Sequence, residues 1–316
     1  MRIRRLPGLP GLPGPRIRRR LAISLLMGIA AGRAEAQSLE PRAYSPNPVG
    51  ANFALANYAY QTGDVVFDAS IPITDVSAKI NAVTLGYVRT FGLFGRSASA
   101  ALAVPYAWGS VEGRVQEEQR RITRSGFADL QTRLTVNLLG GPAMTPGEFA
   151  ARTPETTLGF TLVTVAPTGE YFPDKLINLG ANRWAFKTEL GFSQPAGRWA
   201  FEAYAAGWFF TPNDDFFGGQ VRTQEPIWAF QGHVSYTFRP RLWLAASATY
   251  YTGGETSLDG IPRLDLLKNS RVSLTGSVPL GRRQSIKLFW SKGATRSLGA
   301  NFTTYSVSYQ ILWFDR

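Results

Sequence analysis

The stretch WAFQGHVSYTF, from Trp228 to Phe238, decides how the rest of the chain is read. Trp228, Phe230, Val234, Tyr236 and Phe238 recur at alternate positions, with Gln231, His233, Ser235 and Thr237 between them. A period of two sends successive side chains to opposite faces of an extended strand, so one face is apolar and the other polar. A tilted strand of about 9–11 residues crosses the hydrocarbon of a bilayer. Aromatic rings stand at both ends of the apolar face, Trp228 and Phe238, where the two membrane–water interfaces would lie.

The same alternation extends in both directions. Ala128, Leu130, Leu134, Val136 and Leu138 alternate with Asp129, Gln131, Arg133, Thr135 and Asn137. Trp184, Phe186, Leu190 and Phe192 alternate with Lys187, Glu189 and Ser193, and Val272, Leu274 and Val278 with Arg271, Ser273, Thr275 and Ser277. The final run sets Tyr305, Val307, Tyr309, Ile311 and Trp313 against Ser306, Ser308 and Gln310. Twelve such segments are read, near 52–61, 79–91, 98–110, 126–139, 157–168, 183–194, 199–210, 226–238, 241–252, 268–279, 284–292 and 303–314. Long polar connections follow the odd segments and short ones most even segments; 140–156 is an even connection that is too long. Even strand number, alternating loop lengths and aromatic ends predict an all-β chain, a transmembrane antiparallel β-barrel of about 12 strands with short periplasmic turns and long extracellular loops. Closure follows because an open sheet edge in lipid leaves backbone groups without partners.

Composition agrees by exclusion. A mean hydropathy of -0.10 argues against a bundle of spanning helices. The absence of Cys rules out disulfides and thiolate chemistry, and a single His, His233, leaves little for an imidazole metal site. The net charge of +12 suggests nucleic acid until it is located. Residues 1–36 carry eight Arg and one acid, whereas the remaining 280 residues carry 26 basic and 21 acidic side chains. No nucleic-acid partner is expected.

The basic excess belongs to a leader. Arg16-Ile17-Arg18-Arg19-Arg20 is a positive n-region, Leu21 to Ala31 an apolar h-region, and Ala34-Glu35-Ala36 a small-x-small cleavage pattern. Residues 1–36 are therefore read as a secretory signal peptide, 37–51 as an N-terminal periplasmic or plug segment, and 52–316 as the barrel. The expected location is the cell outer membrane of a Gram-negative bacterium. Expected partners are outer-membrane lipids and lipopolysaccharide, the barrel-assembly machinery with periplasmic chaperones, and a small-molecule solute.

Several stretches resemble one family of outer-membrane proteins. They are LEPRAYSPNPVGAN (Leu39 to Asn52), VPYAWG (Val104 to Gly109), GFADL (Gly126 to Leu130), VAPTGEYFPDKLINLGANRWAFKTELGFS (Val165 to Ser193), YYTGGETSLDG (Tyr250 to Gly260) and the terminal strand. The chain is similar in these to the "putative MetA-pathway of phenol degradation" family. The resemblance implies an outer-membrane channel or transporter for passive uptake of a small solute, an aromatic or phenolic compound among the candidates. It supplies no catalytic residues, and the ending Trp313-Phe314-Asp315-Arg316 departs from the terminal aromatic of many barrels.

The polar faces supply the candidate site. Asp129, Arg133, Lys187, Glu189, Tyr204, Gln231, His233, Arg271 and Lys287 are read as lining the lumen, with Lys79 and Glu202 also inward. Such charges either pair across a narrow interior or set a preference for anions along a solute path. Trp208, Trp243 and Phe289 are candidate inward rings for an aromatic solute. Two other functions remain in view: a structural or adhesive barrel with a closed lumen, and an outer-membrane lipid hydrolase using His233 and Ser235, which share one strand face. The hydrolase needs a base on the nucleophile and a third group to orient it, and the chain is read as not an enzyme. PNDDFFGG (Pro212 to Gly219) and GETSLDG (Gly254 to Gly260) read as solvated loop tips without calcium-loop spacing. No metal or cofactor is expected.

Overall fold

The computed structural model describes residues 39–66, 73–115, 118–175, 177–295 and 299–315; the leader reading lies outside them. In chain order the strands are β1 (Ala51–Val66), β2 (Ile73–Leu93), β3 (Arg96–Val115), β4 (Glu118–Phe127), β5 (Leu130–Leu139), β6 (Thr157–Ala166), β7 (Ala185–Ala196), β8 (Trp199–Phe210), β9 (Asn213–Phe216), β10 (Gln220–Gln224), β11 (Ile227–Arg239), β12 (Leu242–Gly253), β13 (Thr256–Leu258), β14 (Ile261–Pro262), β15 (Leu267–Pro279), β16 (Gln284–Thr295) and β17 (Gly299–Phe314). The barrel is an antiparallel ring in which β4 and β5 are two halves of one strand, both paired to β3. Its order is β1, β2, β3, β4 with β5, β6, β7, β8, β11, β12, β15, β16 and β17, and β17 closes on β1 from Ala51↔Phe314 to Val66↔Gly299. That makes twelve barrel strands.

The alternating sets sort to opposite faces. Trp228, Phe230, Val234 and Phe238 are exposed on the outside, while Gln231, His233 and Ser235 are buried in the lumen. Outward rings form two belts. One contains Tyr58, Tyr106, Trp108 and Phe127, with Trp184 stacked on Phe186 and Phe209 against Trp228. The other, at the end bearing the chain termini of the barrel, contains Tyr87 beside Trp313 and Trp199 beside Tyr236. Between them the wall presents only apolar or small side chains on β11, so a charge there meets hydrocarbon. Val234→Arg is expected to lower stability by about 2–4 kcal/mol, the cost at a bilayer midplane, measured by urea titration of the refolded protein.

Two expected long connections, after the first and third segments, are instead strand. β2 and β3 run to 21 and 20 residues, and β4 adds ten more. Above the belt the outward face is polar, as in Lys79, Ser110 and Arg121, while Ala78, Ile80, Val111 and Phe302 turn inward, so no apolar outward set marks the strands there, yet backbone pairing continues. The expected loop tips 212–219 and 254–260 also differ. With their flanks they fold into a second sheet, ordered β14, β13, β10, β9, whose pairing between distant loops leaves no local signature.

The long 140–156 connection carries helix α1 (Pro146–Ala151), started by a Thr145–Glu148 capping box. The two hydrogen bonds from Thr145 hold the Glu148 carboxyl below its ordinary range. The connection lies at the terminus-bearing end, where Ser97 N–H donates to Gly141 O and Val49 N–H to Met144 O.

Candidate functional site

Residues 39–50 occupy the lumen. Their exit is stapled by Thr90, whose hydroxyl donates to Pro48 O (2.6 Å) and accepts from Ala51 N–H (3.0 Å). Further in, Arg42 turns the chain with φ of 67°. Its N–H donates to Glu202 Oε2 (2.8 Å), its Nε to Ser235 Oγ (3.1 Å) and its Nη2 to Thr237 Oγ1 (2.5 Å), and its guanidinium lies 5.0 Å over the Trp243 ring. Tyr44, 1% exposed, donates from its hydroxyl to Glu189 Oε1 at 3.0 Å and meets the Tyr204 ring edge-on at 5.0 Å. Its ring fits a notch in the wall made by Gly159 and Gly191, which are cross-strand partners. A Cβ on either would stand 2.1 Å or 1.8 Å from that ring, respectively, so only glycine admits it. Arg133 binds Glu40.

The segment fills one side of the barrel and not the other. Inward residues on β11, β12 and β15, such as His233, Ser247, Thr249, Ser273 and Thr275, are buried. Inward residues on β1 and β17, such as Asn57, Gln61, Thr304, Ser306 and Ser308, are only half-buried. Toward the far end of the filled side, Val163, Val165, Ala206, Trp208, Ile227, Ala229, Tyr251 and Leu267 form an apolar cluster with Phe210. The lumen therefore holds an apolar upper layer, a charged middle layer and the inserted segment.

The residues read as inward are placed as follows. Arg133, Lys187, Glu189, Tyr204, Gln231, His233, Arg271 and Lys287 face the lumen, as do Glu202, Trp208, Trp243 and Phe289. Most are engaged. Lys187 Nζ is 2.6 Å from Glu189 Oε2, Glu189 accepts from Gln231 Nε2 (3.3 Å), and Arg271 Nη2 donates to Ser291 Oγ and Phe302 O, each at 2.8 Å. Lys287 differs: it is exposed in the lumen, and it has no ion pair among the described residues.

Two readings are corrected. Asp129 is buried and offers no free carboxylate to a solute path. It sits in the break between β4 and β5, where its carboxylate accepts from Gly169 N–H and Ala181 N–H, each at 2.8 Å. The inward phase slips by one residue across that break: Phe127 faces out above it and Leu134 faces out below, and Asp129 anchors the loop between β6 and β7. Lys79 faces outward, level with Ser110 and Thr62, above the aromatic belt where a charge costs little.

His233 and Ser235 lie on one face but do not meet. His233 Nδ1 is 2.8 Å from Ser247 Oγ, and Ser235 is held by Arg42. Among the described residues no group of acids, His or Cys is arranged to hold a metal. The sequence reading missed Glu40, Arg42, Tyr44 and the two wall glycines. The signal available was a glycine in the polar phase of each of two neighbouring strands, where a lumen side chain was otherwise due.

The loops above the filled side pack on one another. Tyr171 donates to Asp215 O and accepts from Asn213 Nδ2, each at 3.0 Å, and Asn213 Nδ2 also donates to Ala181 O. Arg183 binds Gln224 and lies 4.4 Å over the Phe210 ring.

The COG4313 outer membrane channel from Pseudomonas putida F1 overlays on this barrel with a TM-score of 0.74, at 21% identity, over 87% of this chain and 100% of that one. The NanC porin gives 0.48 at 8% identity (83% and 100%), and the toluene transporter TodX of P. putida 0.44 at 14% (90% and 95%). No curated protein matches the sequence. A family profile described as "Putative MetA-pathway of phenol degradation" matches residues 56–292, three quarters of the chain and nearly all of its barrel, and the chain belongs to that family.

Proposed function

We propose that this protein is an outer-membrane channel for passive uptake of a small aromatic solute carrying an acidic group, such as a benzoate or a phenolate. The observation that carries this is the asymmetry of the lumen: one side is filled by residues 39–50, and the other keeps a polar, half-exposed lining. On that open side Lys287 and Phe289 share the inward face of β16, an ammonium two residues from a ring, without a direct ion pair among the described residues and within electrostatic reach of Glu40. This pair suits an anionic headgroup on a flat apolar body. The family's description and the channel with the same fold fit this reading.

The test is single-channel recording of the refolded protein in a planar bilayer with benzoate added. Discrete steps blocked by benzoate are expected, and in Lys287→Ala the blocking concentration should rise about tenfold, the effect of losing one charge-assisted hydrogen bond. A silent barrel would favour the closed-lumen reading, to which the inserted segment lends itself. The leader belongs to the same proposal. N-terminal sequencing of protein from outer-membrane fractions should begin at Gln37. Insertion by the barrel-assembly machinery, with periplasmic chaperones, is part of the same proposal, and a closed barrel without a free edge is compatible with it.

A further inference from the structure

The outer wall carries a basic depression that the solute path does not use. β2, β3 and β4 rise past the belt formed by Tyr58, Tyr106, Trp108 and Phe127, and directly above it lies a concavity of about 440 Å³. Lys79, Asn81, Trp108, Ser110, Arg121 and Arg124 line it. Cross-strand register places Asn81 beside Trp108 and Lys79 beside Ser110, so these side chains project from the outside of the barrel. Lys79 has no ion pair among the described residues. Arg121 pairs with Glu112 through Nε at 3.3 Å, and Arg124 donates from Nε to Ile177 O (3.0 Å) and from Nη1 to Thr123 O (2.8 Å). Glu112 is thus already engaged, and the lining contains no acid; Lys79 and Arg121 are its outward cations, while Arg124 lies on the opposite face of β4 beside Gly109.

Position identifies the occupant. The depression begins where the outward face changes from rings to polar groups, at the level of the outer-leaflet headgroups. Below it, Tyr58, whose hydroxyl donates to Asn81 Oδ1 at 2.7 Å, and Trp108 give flat apolar surface for acyl chains. A ligand that fits both must have phosphate above and several acyl chains below. We infer that this is a binding site for a phosphorylated glycolipid of the outer leaflet, the lipid A portion of lipopolysaccharide, with Lys79 and Arg121 contacting a phosphate. The inference rests on the proposed outer-membrane placement, with the short turn at Phe94-Gly95 on the periplasmic side.

The experiment is native mass spectrometry of the detergent-purified full barrel titrated with bisphosphorylated lipid A, its dephosphorylated form, phosphatidylethanolamine and inorganic phosphate. Bisphosphorylated lipid A should bind at least tenfold more tightly than the dephosphorylated form. Lys79→Ala with Arg121→Ala should weaken it about tenfold, and Lys79→Arg with Arg121→Lys should retain it. Arg282→Ala with Arg283→Ala, the same charge change at the opposite end, should bind as wild type. Heat-modifiable migration verifies that each variant is folded. Equal binding by the double alanine variant overturns the proposal, as does equal binding of phosphatidylethanolamine. Displacement of lipid A by equimolar inorganic phosphate would make the depression a free-phosphate site instead. Fractionation of cells reports separately on outer-membrane placement, so a failure there is distinguishable from a failure of the site.

Discussion

A Gly191→Val barrel is expected to conduct several times more current per opening than the wild type. The ideal Cβ at this position lies 1.8 Å from a ring carbon of Tyr44, far inside van der Waals contact, and branching at Val adds more volume in the same place. The ring cannot slide aside, because Gly159 backs it on one strand and Tyr204 meets its edge. Seating the ring contributes about 1.5–3 kcal/mol of burial, with about as much again from the hydroxyl bond to Glu189. Overlap of this severity exceeds what local adjustment absorbs, whereas residues 39–46 are free to leave the lumen as a unit. The strand itself tolerates valine, a good β-former. Tyr44→Ala combined with Gly191→Val separates the causes: with no ring to displace, the added valine should give no further increase over Tyr44→Ala alone. Unchanged conductance in Gly191→Val, with the barrel folded, would mean that the segment lies off the conducting path.

The second large effect is expected at Asp129. Its carboxylate is the common acceptor for two backbone N–H groups twelve residues apart, Gly169 and Ala181, and so ties both ends of the β6–β7 loop to the wall. Asp129→Ala leaves both donors unsatisfied in a buried place and should cost about 3 kcal/mol. The visible consequence is local. Trypsin should begin to cut after Lys175, which lies within the freed loop, while the barrel strands remain resistant. Asp129→Asn keeps one acceptor oxygen and should fall between the two. A variant that resists trypsin and melts as wild type would show that the Tyr171–Asn213–Asp215 contacts suffice to hold the loop.

Where one strand face meets lipid, the sequence is easily read. Trp228 to Phe238 and Tyr305 to Trp313 each display an outward set free of polar side chains other than Tyr, with Gly232 as the one small residue in the first, because hydrocarbon admits no charge there. Above the lipid that constraint disappears. Lys79 faces water outside while its neighbours Ala78 and Ile80 turn inward, so the rule that sends polar residues to the lumen gave it the wrong face. The break at Asp129 was hidden for a different reason. Alanine and aspartate at 128 and 129 continue the alternation of the segment below, so the one-residue slip leaves no trace in composition. Tyr44 belongs to a segment without periodicity, and its seat is made of two residues that have no side chains.

The seam between β1 and β17 joins residues 51–66 to residues 299–314, the most distant pairing in the barrel. Nothing can close the ring until the last strand exists, and such long-range closure is intrinsically slow. Yet most of the surface that receives residues 39–50 exists much earlier: Gly159, Glu189, Glu202 and Ser235 all precede β12 in the chain, and Trp243, under the Arg42 guanidinium, comes at the start of β12. In a half-built, trough-shaped sheet, Arg42 and Tyr44 can already bind, which draws the leading edge of β1 across the trough and holds it where β17 will arrive. The same residues that narrow the finished pore would then act during biogenesis as a tether that shortens the search for the seam. A chain without them would open wider, and it would also close later.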